Sequence, residues 1–534
     1  MSTETMQEKE ALAEQTTPSA MLQMAGWHAR SGDMVQAERC YRQVIEREPH
    51  NLLALYRLAL LLSQDPEQAG DALQLLDMVL AFDPENAAVH TARGVLLNRM
   101  ERQLDALDSF VKACRLSPAN AGNLYNLGLL LSDLCCPAQA EVIARHLLKR
   151  RPDWPSAHYL LLRALTGLEA DAKELHGLYD YLLKSDPLNT SLRFARSLLH
   201  LKTGNYADGW DGQEWRWDIE PVKSSRLVPS QPRWAGGPLE GRRLLVAGEQ
   251  GFGDVLQFAR FLPMLVEAGA HVILQLDHNR ASLQRLFERI NGVEIVIGTE
   301  DLPPFDLYCP LGSLPYVFNT TPHNIPAPPY LNVDQTAVAA WRERLANLPR
   351  PWVGVCWAGS LEHSHNIRRS LPLCMNSRYH VARQERELRI VTAAARVAQA
   401  LGLDELTDAA ERDALPAFYS MEPLLRRTAG SFIALQVGPH AADMEELPAD
   451  LRTRMSAPLP SNADFLDTAC LIAALDEVIT VDTSVAHVAG AIGQRGTIIK
   501  PAAPEWRWIE INGTSPWYPR MRLVEQRVVA AMKW

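Results

Sequence analysis

The chain has 534 residues, of which 47% are hydrophobic and 22% charged; this is the usage of a folded protein, and the length exceeds what one core of about 100 to 200 residues organises. Its 53 basic and 63 acidic residues give a formal charge of −10, which argues against nucleic acid as a partner. No stretch approaches the roughly 18 to 20 apolar residues of a membrane span, since the longest, from Leu52 to Leu62, is short and interrupted by Arg57.

Residues 1–17 are expected to be a flexible N-terminus. Met1 to Gln15 carry glutamates and lack the basic start and apolar middle of a secretory signal, so a cytoplasmic location is expected. From residue 18 the pattern is helical and repeats. Prolines at 49, 84, 118, 152 and 187 are spaced 35, 34, 34 and 35 residues apart. The clearest unit holds Gly94, Ala106, Phe110, Ala113 and Pro118, where small residues let two helices cross closely, an aromatic fills the gap, and proline ends the second helix. This period and these offsets resemble the tetratricopeptide family. The resemblance implies an all-α solenoid over 18–220, of five or six units, whose concave surface receives a protein segment or joins copies of the chain.

Near Arg242 the pattern changes to alternating strand, glycine turn and helix. Leu244 to Ala247 reads as a strand, followed by the turn Gly248-Glu249-Gln250-Gly251-Phe252-Gly253-Asp254 and a helix from Val255 to Glu267. His271 to Leu276 and Val293 to Ile297 read as further strands. Glycine turns of this kind let backbone approach a phosphate at a helix start, although an acidic partner for a nicotinamide ribose is only loosely placed, at Asp277. Domain boundaries are expected at 221–335 for this Rossmann-like unit and 336–534 for a second one.

In the second unit Val353 to Trp357, Ser431 to Val437 and Glu477 to Val481 read as strands. They end in Ala358-Gly359-Ser360, Gly438-Pro439 and Asp482-Thr483-Ser484. Ligands of open parallel sheets bind outside such carboxyl edges. Thr483 and Ser484 open a helix whose free N–H groups suit a diphosphate, with His487 one turn on; a buried structural histidine is the alternative reading. A tryptophan cluster includes Trp506, which reads as a sugar-stacking platform or as core. The eight cysteines show neither a disulfide framework nor zinc-ligand spacing.

From Gly248 to Arg522 these segments, in order, resemble the tetratricopeptide-linked relatives of bacterial heptosyltransferases and, more distantly, the protein O-GlcNAc transferases. The segments are Gly248 to Ala259, Pro310 to Pro315, Trp357 to Gly359, Leu435-Gln436 with Gly438-Pro439, Asp467 to Leu475, Asp482 to Gly490, Pro504 to Arg507 and Ser515 to Arg522. The resemblance implies an α plus α/β architecture with two Rossmann-like domains in a GT-B arrangement. It implies a metal-independent glycosyltransferase that uses a nucleotide-diphosphate sugar as substrate and no cofactor. Asp254 falls at the general-base position, and Gly251, Gly253, Gln436, Asp482, Thr483, Ser484 and His487 fall at donor-binding positions. Flagellin or another surface protein is the implied class of acceptor.

Three features depart from that pattern. Val437 stands where relatives often carry lysine. The loop after Trp357 reads His363-Ser364-His365-Asn366-Ile367-Arg368-Arg369-Ser370, in which Arg368 and Arg369 are the candidate cations for the donor. Residues 374–427 form an insertion with an amphipathic, mixed-charge helix, expected to be a solvated surface helix or lid. The alternative readings are a catalytically impaired scaffold that binds partners through its repeats, and a glycan or lipopolysaccharide glycosyltransferase.

Overall fold

The computed structural model describes residues 17–220, 222–359, 369–374, 378–413, 420–501, 503–511 and 514–526. His363, Arg368 and the first 16 residues lie outside them. The chain forms two compact units, one of residues up to Leu168 together with Glu385–Ala414, the other of Glu169–Gln384 and Leu415–Trp534.

The first unit is made of paired helices. Pro18–Ser31 pairs with Met34–Arg47, Leu52–Leu62 with Ala69–Phe82, Ala87–Arg99 with Gln103–Leu116, and Ala121–Asp133 with Pro137–Arg150; Pro155–Gly167 follows. Glycine is required where helices meet, within a pair and between pairs: a Cβ on Gly94 would come within 2.7 Å of the Phe110 ring of its partner helix, and one on Gly128 within 2.5 Å of Leu160 in the helix that follows its pair. The periodic prolines stand in the turns between pairs, just past a helix end, where no N–H is needed. Two residues after each of four of them an asparagine caps the next helix. Asn51, Asn86, Asn120 and Asn189 accept from the backbone N–H of Ala54, Val89, Asn123 and Leu192 at 3.0–3.3 Å. Three of them also donate back to the acid preceding the proline: Asn51 to Glu48, Asn86 to Asp83 and Asn189 to Asp186, at 2.7–3.0 Å. Each clasp satisfies a helix N–H that would otherwise be left to water, a gain of about 1 kcal/mol.

The amphipathic insertion is a helix, Arg378–Leu401, followed by Glu405–Asp413, and its part from Glu385 onward belongs to this helical unit. Ile390, Ala393, Ala394, Val397 and Ala398 are buried at helical spacing. Asp413 accepts from the N–H groups of Ala138 and Gln139, each at 2.9 Å, capping Pro137–Arg150 from far along the chain. Arg389 bonds the Leu104 carbonyl at 3.0 Å and Asp108 at 2.7 Å. The expected solvated helix is thus half buried, because its apolar stripe has a partner.

In the second unit the strands β1 (Arg243–Ala247), β2 (His271–Leu276), β3 (Val293–Ile297) and β4 (Leu307–Pro310) form a parallel sheet of order β3-β2-β1-β4. A second parallel sheet, of order β10-β9-β8-β5-β6-β7, contains β5 (Trp352–Cys356), β6 (Ser431–Ala434), β7 (Met455–Ser456), β8 (Glu477–Val481), β9 (Gly496–Lys500) and β10 (Met521–Glu525). Its strands are buried on both faces: Trp352, Ile433 and Val478 belong to one core cluster, Val353, Phe432 and Ile479 to another. This is why they read as continuous apolar runs.

The helices Ala172–Ser185, Thr190–Lys202 and Tyr206–Gln213 belong to this second unit rather than to a helical domain running to 220. Leu201, Tyr206 and Trp210 share the core of the first sheet, and the Trp210 indole N–H donates to the Thr320 carbonyl at 2.9 Å. Large aromatic area buried against the sheet outweighs the family likeness of these helices to the preceding pairs.

Candidate functional site

Each sheet reverses strand order once, between β1 and the edge strand β4 in the first and at the centre, between β5 and β8, in the second. The carboxyl ends of those strands open the crevice where α/β sheets bind ligands. The candidate residues gather at these two places.

At the first, Gly251 precedes the helix Phe252–Phe258 and its N–H donates to the Asp254 carboxylate at 3.0 Å. The other Asp254 oxygen is ion-paired with Arg507, which also pairs with Glu505 and donates through Nε to Gln257 Oε1 at 2.8 Å. Burial alone would lower the Arg507 pKa, but Asp254, Glu505 and Asp482 outweigh it and raise it, so the guanidinium stays charged. Gly253 makes room for a side chain: a Cβ there would lie 2.8 Å from the His487 ring, so helix Phe252–Phe258 can press against helix Ser484–Ala491.

His487 is 4% exposed, and its Nδ1 lies 2.8 Å from the Tyr518 hydroxyl. Burial, with Arg507, Arg260 and Arg369 nearby, lowers its pKa well below the usual imidazole value. It is therefore neutral at physiological pH and brings no positive charge to a diphosphate. Trp506 is a correction to the stacking expectation. It is 4% exposed, packs edge-on to Trp210 at 5.3 Å and Trp517 at 5.5 Å, lies parallel to Phe258 at 6.5 Å, and carries the Arg507 guanidinium 4.7 Å from its centroid. It is a core tryptophan with no face presented to a sugar.

At the second place, the Gln436 side chain accepts from the N–H groups of Trp357 at 3.2 Å and Ala358 at 2.9 Å, and so shapes the loop after β5. Both ends of that loop are tied together, by Leu371 N–H to Trp357 O at 2.8 Å and by Gly359 N–H to the Ser370 hydroxyl at 3.0 Å. Arg369 lies against Gly359, where a Cβ would come within 2.6 Å of its Nε. That Nε is buried without a hydrogen-bond partner, and among the described residues the Arg369 guanidinium forms no ion pair. The Thr483 hydroxyl is turned inward, 3.2 Å from that of Thr480 and 3.7 Å from Cys356 Sγ, and makes no cap for the helix Ser484–Ala491. Ser484, half-buried, opens that helix. Beside it Asp482 is buried, and burial together with the charge of Glu505 pushes its carboxyl up to about 6 despite Arg369 and Arg507.

Arg507, Glu249, Arg216 and Gln257 were not singled out as site residues by the sequence, although Glu249, Gln257 and Arg507 stand in matching segments. In the helical unit a groove of about 380 Å³ runs along the first helices of successive pairs, lined by Tyr56, Leu60, Thr91, Val95, Arg99 and Asn123 among others. Among the described residues no helix is long and apolar enough to cross a membrane.

A tetratricopeptide repeat family model matches residues 28–96. The N-terminal helical region carries tetratricopeptide repeats. Protein FlbA of Caulobacter vibrioides is 25% identical over 531 residues, covering 93% of this chain and 80% of that protein. Among solved structures, a tetratricopeptide repeat protein from Parabacteroides merdae is 19% identical, covering 38% of this chain and 79% of its own, with a TM-score of 0.34. PilF of Pseudomonas aeruginosa is 20% identical, covering 39% of this chain and 93% of its own, with a TM-score of 0.32. The matched repeats include two of the walls of the groove, from the second and third helical pairs.

Proposed function

We propose that the protein is a metal-independent glycosyltransferase of GT-B type, which takes a sugar from a nucleotide-diphosphate sugar and passes it to a hydroxyl of a protein engaged by its repeats. The supporting observation is the Arg369 guanidinium, left without an ion pair among the described residues, beside the N-terminus of Ser484–Ala491, which no side chain caps. An unpaired arginine and free helix N–H groups at the switch point of a parallel sheet suit a diphosphate, and they neutralise the charge that grows on it as the sugar leaves. Asp254, across the crevice on the helix that packs against Ser484–Ala491, is the candidate base for the acceptor hydroxyl. The resemblance to heptosyltransferases and O-GlcNAc transferases supports the same assignment. Repeats of this family suggest protein partners, and the groove through Thr91 and Asn123 is the candidate surface for one.

Melting the full chain with each common nucleoside diphosphate tests the reading. One of them is expected to raise the midpoint by mass action in the native protein and to lose that effect in Arg369→Ala. No shift with any of them overturns the donor site. That result would favour the scaffold reading, for which Val437, 57% exposed where relatives often carry lysine, is the observation in hand.

A further inference from the structure

Glu249 and Arg216 take no part in the reading above, yet they form a buried ion pair in which every guanidinium donor is used. Arg216 sits in the short helix Glu214–Asp218 that follows Tyr206–Gln213, and is 2% exposed. Its Nε and one terminal nitrogen grip the Glu249 carboxylate in parallel, at 2.9 and 2.6 Å. The same terminal nitrogen reaches the Ser313 hydroxyl at 2.7 Å, and the other reaches the Gln213 carbonyl at 3.1 Å and Glu214 at 2.9 Å. All five N–H donors of the guanidinium are thereby used.

Glu249 is the second residue of the glycine turn, directly after β1. Its Oε1 also accepts from the Gly312 N–H at 2.8 Å, just past the end of β4. Gly312 is there because a Cβ would come within 2.7 Å of that oxygen. The next residue, Gln250, holds a positive φ of 62° that side chains other than glycine rarely adopt, and its carbonyl is bonded by Arg280. Gly251 then donates to Asp254. A buried, bidentate charge pair is thus joined through two residues of constrained backbone to the candidate base. Such pairs add little net stability compared with apolar packing, but they specify one geometry.

We infer that Arg216 and Glu249 are positioning residues that hold the turn 249–251 in the one conformation that presents Asp254, so that the helical segment ending at Asp218 is a working part of the site. This rests on the role proposed for Asp254, but the geometry can be read without the reaction.

Hydrogen exchange of the full-length protein is the test. Three variants are compared: Glu249→Gln, Arg216→Lys, which keeps the charge and loses the fork, and Gly312→Ala, which displaces Glu249 and uncovers no charge. In Arg216→Lys and Gly312→Ala, exchange at the amides of residues 250–254 is expected to rise about tenfold or more while β2 and β8 stay protected. Glycosyl transfer would fall at saturating substrate with the donor dissociation constant unchanged, a split that mere loss of stability would not give. Unaltered exchange at 250–254 in these two variants overturns the inference, as does a uniform rise throughout the unit. Locally faster exchange in a protein that binds no nucleoside diphosphate upholds the positioning and rejects the glycosyltransferase reading. Glu249→Gln, which leaves a buried cation short of one charge, is expected to give the largest local effect if it folds, and the other two variants decide if it does not.

Discussion

The two sheet edges that face the crevice are built from similar residue types and finished in opposite ways. At the edge of β1 and β4 the charges near the turn are matched within the protein: Glu249 to Arg216 and Gly312, Asp254 to Arg507 and the Gly251 N–H. At the edge of β5 and β8, Arg369 is without an ion pair among the described residues, the helix start has no side-chain cap, and Asp482 is buried against an unfavourable Glu505 charge. Polar groups that satisfy one another define a shape, whereas groups left incomplete define a place for something else. The first edge is therefore read as the holder of geometry, and the second as the receiver of an anion.

Six substitutions would break or sharpen this contrast. Asp254→Asn should lower glycosyl transfer by about 100-fold, the usual scale for losing a positioned base, while the donor dissociation constant by calorimetry changes little. Turnover close to that of the native protein would send the search for a base to another carboxylate. Asp482→Asn probes the strained charge at the other edge. Because the native carboxyl is raised to about 6 from the ordinary aspartate value near 3.8, it favours the native state while protonated, and that contribution is lost as pH rises through about 6. The asparagine variant should hence be more stable than the native protein at pH 7.5, by on the order of 2 kcal/mol, with the advantage fading between pH 6 and 4. Urea unfolding across that range checks it, and an advantage independent of pH would mean that Asp482 is not the titrating group.

Arg369→Ala should weaken nucleoside diphosphate binding about tenfold while lowering the melting midpoint of the free protein only slightly, since Arg369 forms no ion pair among the described residues and its charge only eases the ionisation of Asp482. At the same edge Ser484→Ala should affect binding more than Thr483→Val, whose hydroxyl is turned toward Thr480. The smallest effect belongs to the other unit. Asn86→Ala, which removes a helix cap and its bond to Asp83, should cost about 1 kcal/mol in the unfolding of the repeats and leave nucleotide binding untouched.

Much of this organisation was legible in the sequence because it is carried by short-range pattern. The proline period marked the repeats, and β2, β3 and β8 begin and end where their apolar runs do. The asparagine caps stand at an equally regular offset, two residues after prolines 49, 84, 118 and 187, but capping is a weaker signal than hydrophobic period. Edge strands such as β7 and β10, short or interrupted by charge, gave no comparable signal. What could not be read was pairing across the chain. Nothing local distinguishes Arg216 or Arg507 from a solvated arginine, and only the fold brings Asp254 within reach of a residue 253 positions away. The boundary expected at 220 was displaced for the same reason, because the repeat-like period continues through Thr190–Lys202 while Leu201 and Trp210 pack with the sheet. A fragment beginning at Asn205 would remove Leu201 from that core, and one beginning at Glu169 would keep it.

The helix that returns from the second half of the sequence to cap the repeats carries a consequence for biogenesis. As the chain emerges from the ribosome, the helices up to Leu168 are complete long before Glu385–Ala414, because all of Glu169–Gln384 is made in between. At ordinary elongation rates that interval is on the order of tens of seconds. Throughout it the N–H groups of Ala138 and Gln139 lack Asp413, and the surface that receives Ile390 and Val397 is bare. The nascent repeats thus wait with an uncovered apolar strip, which a chaperone or a neighbouring nascent chain can reach before the chain's own helix arrives.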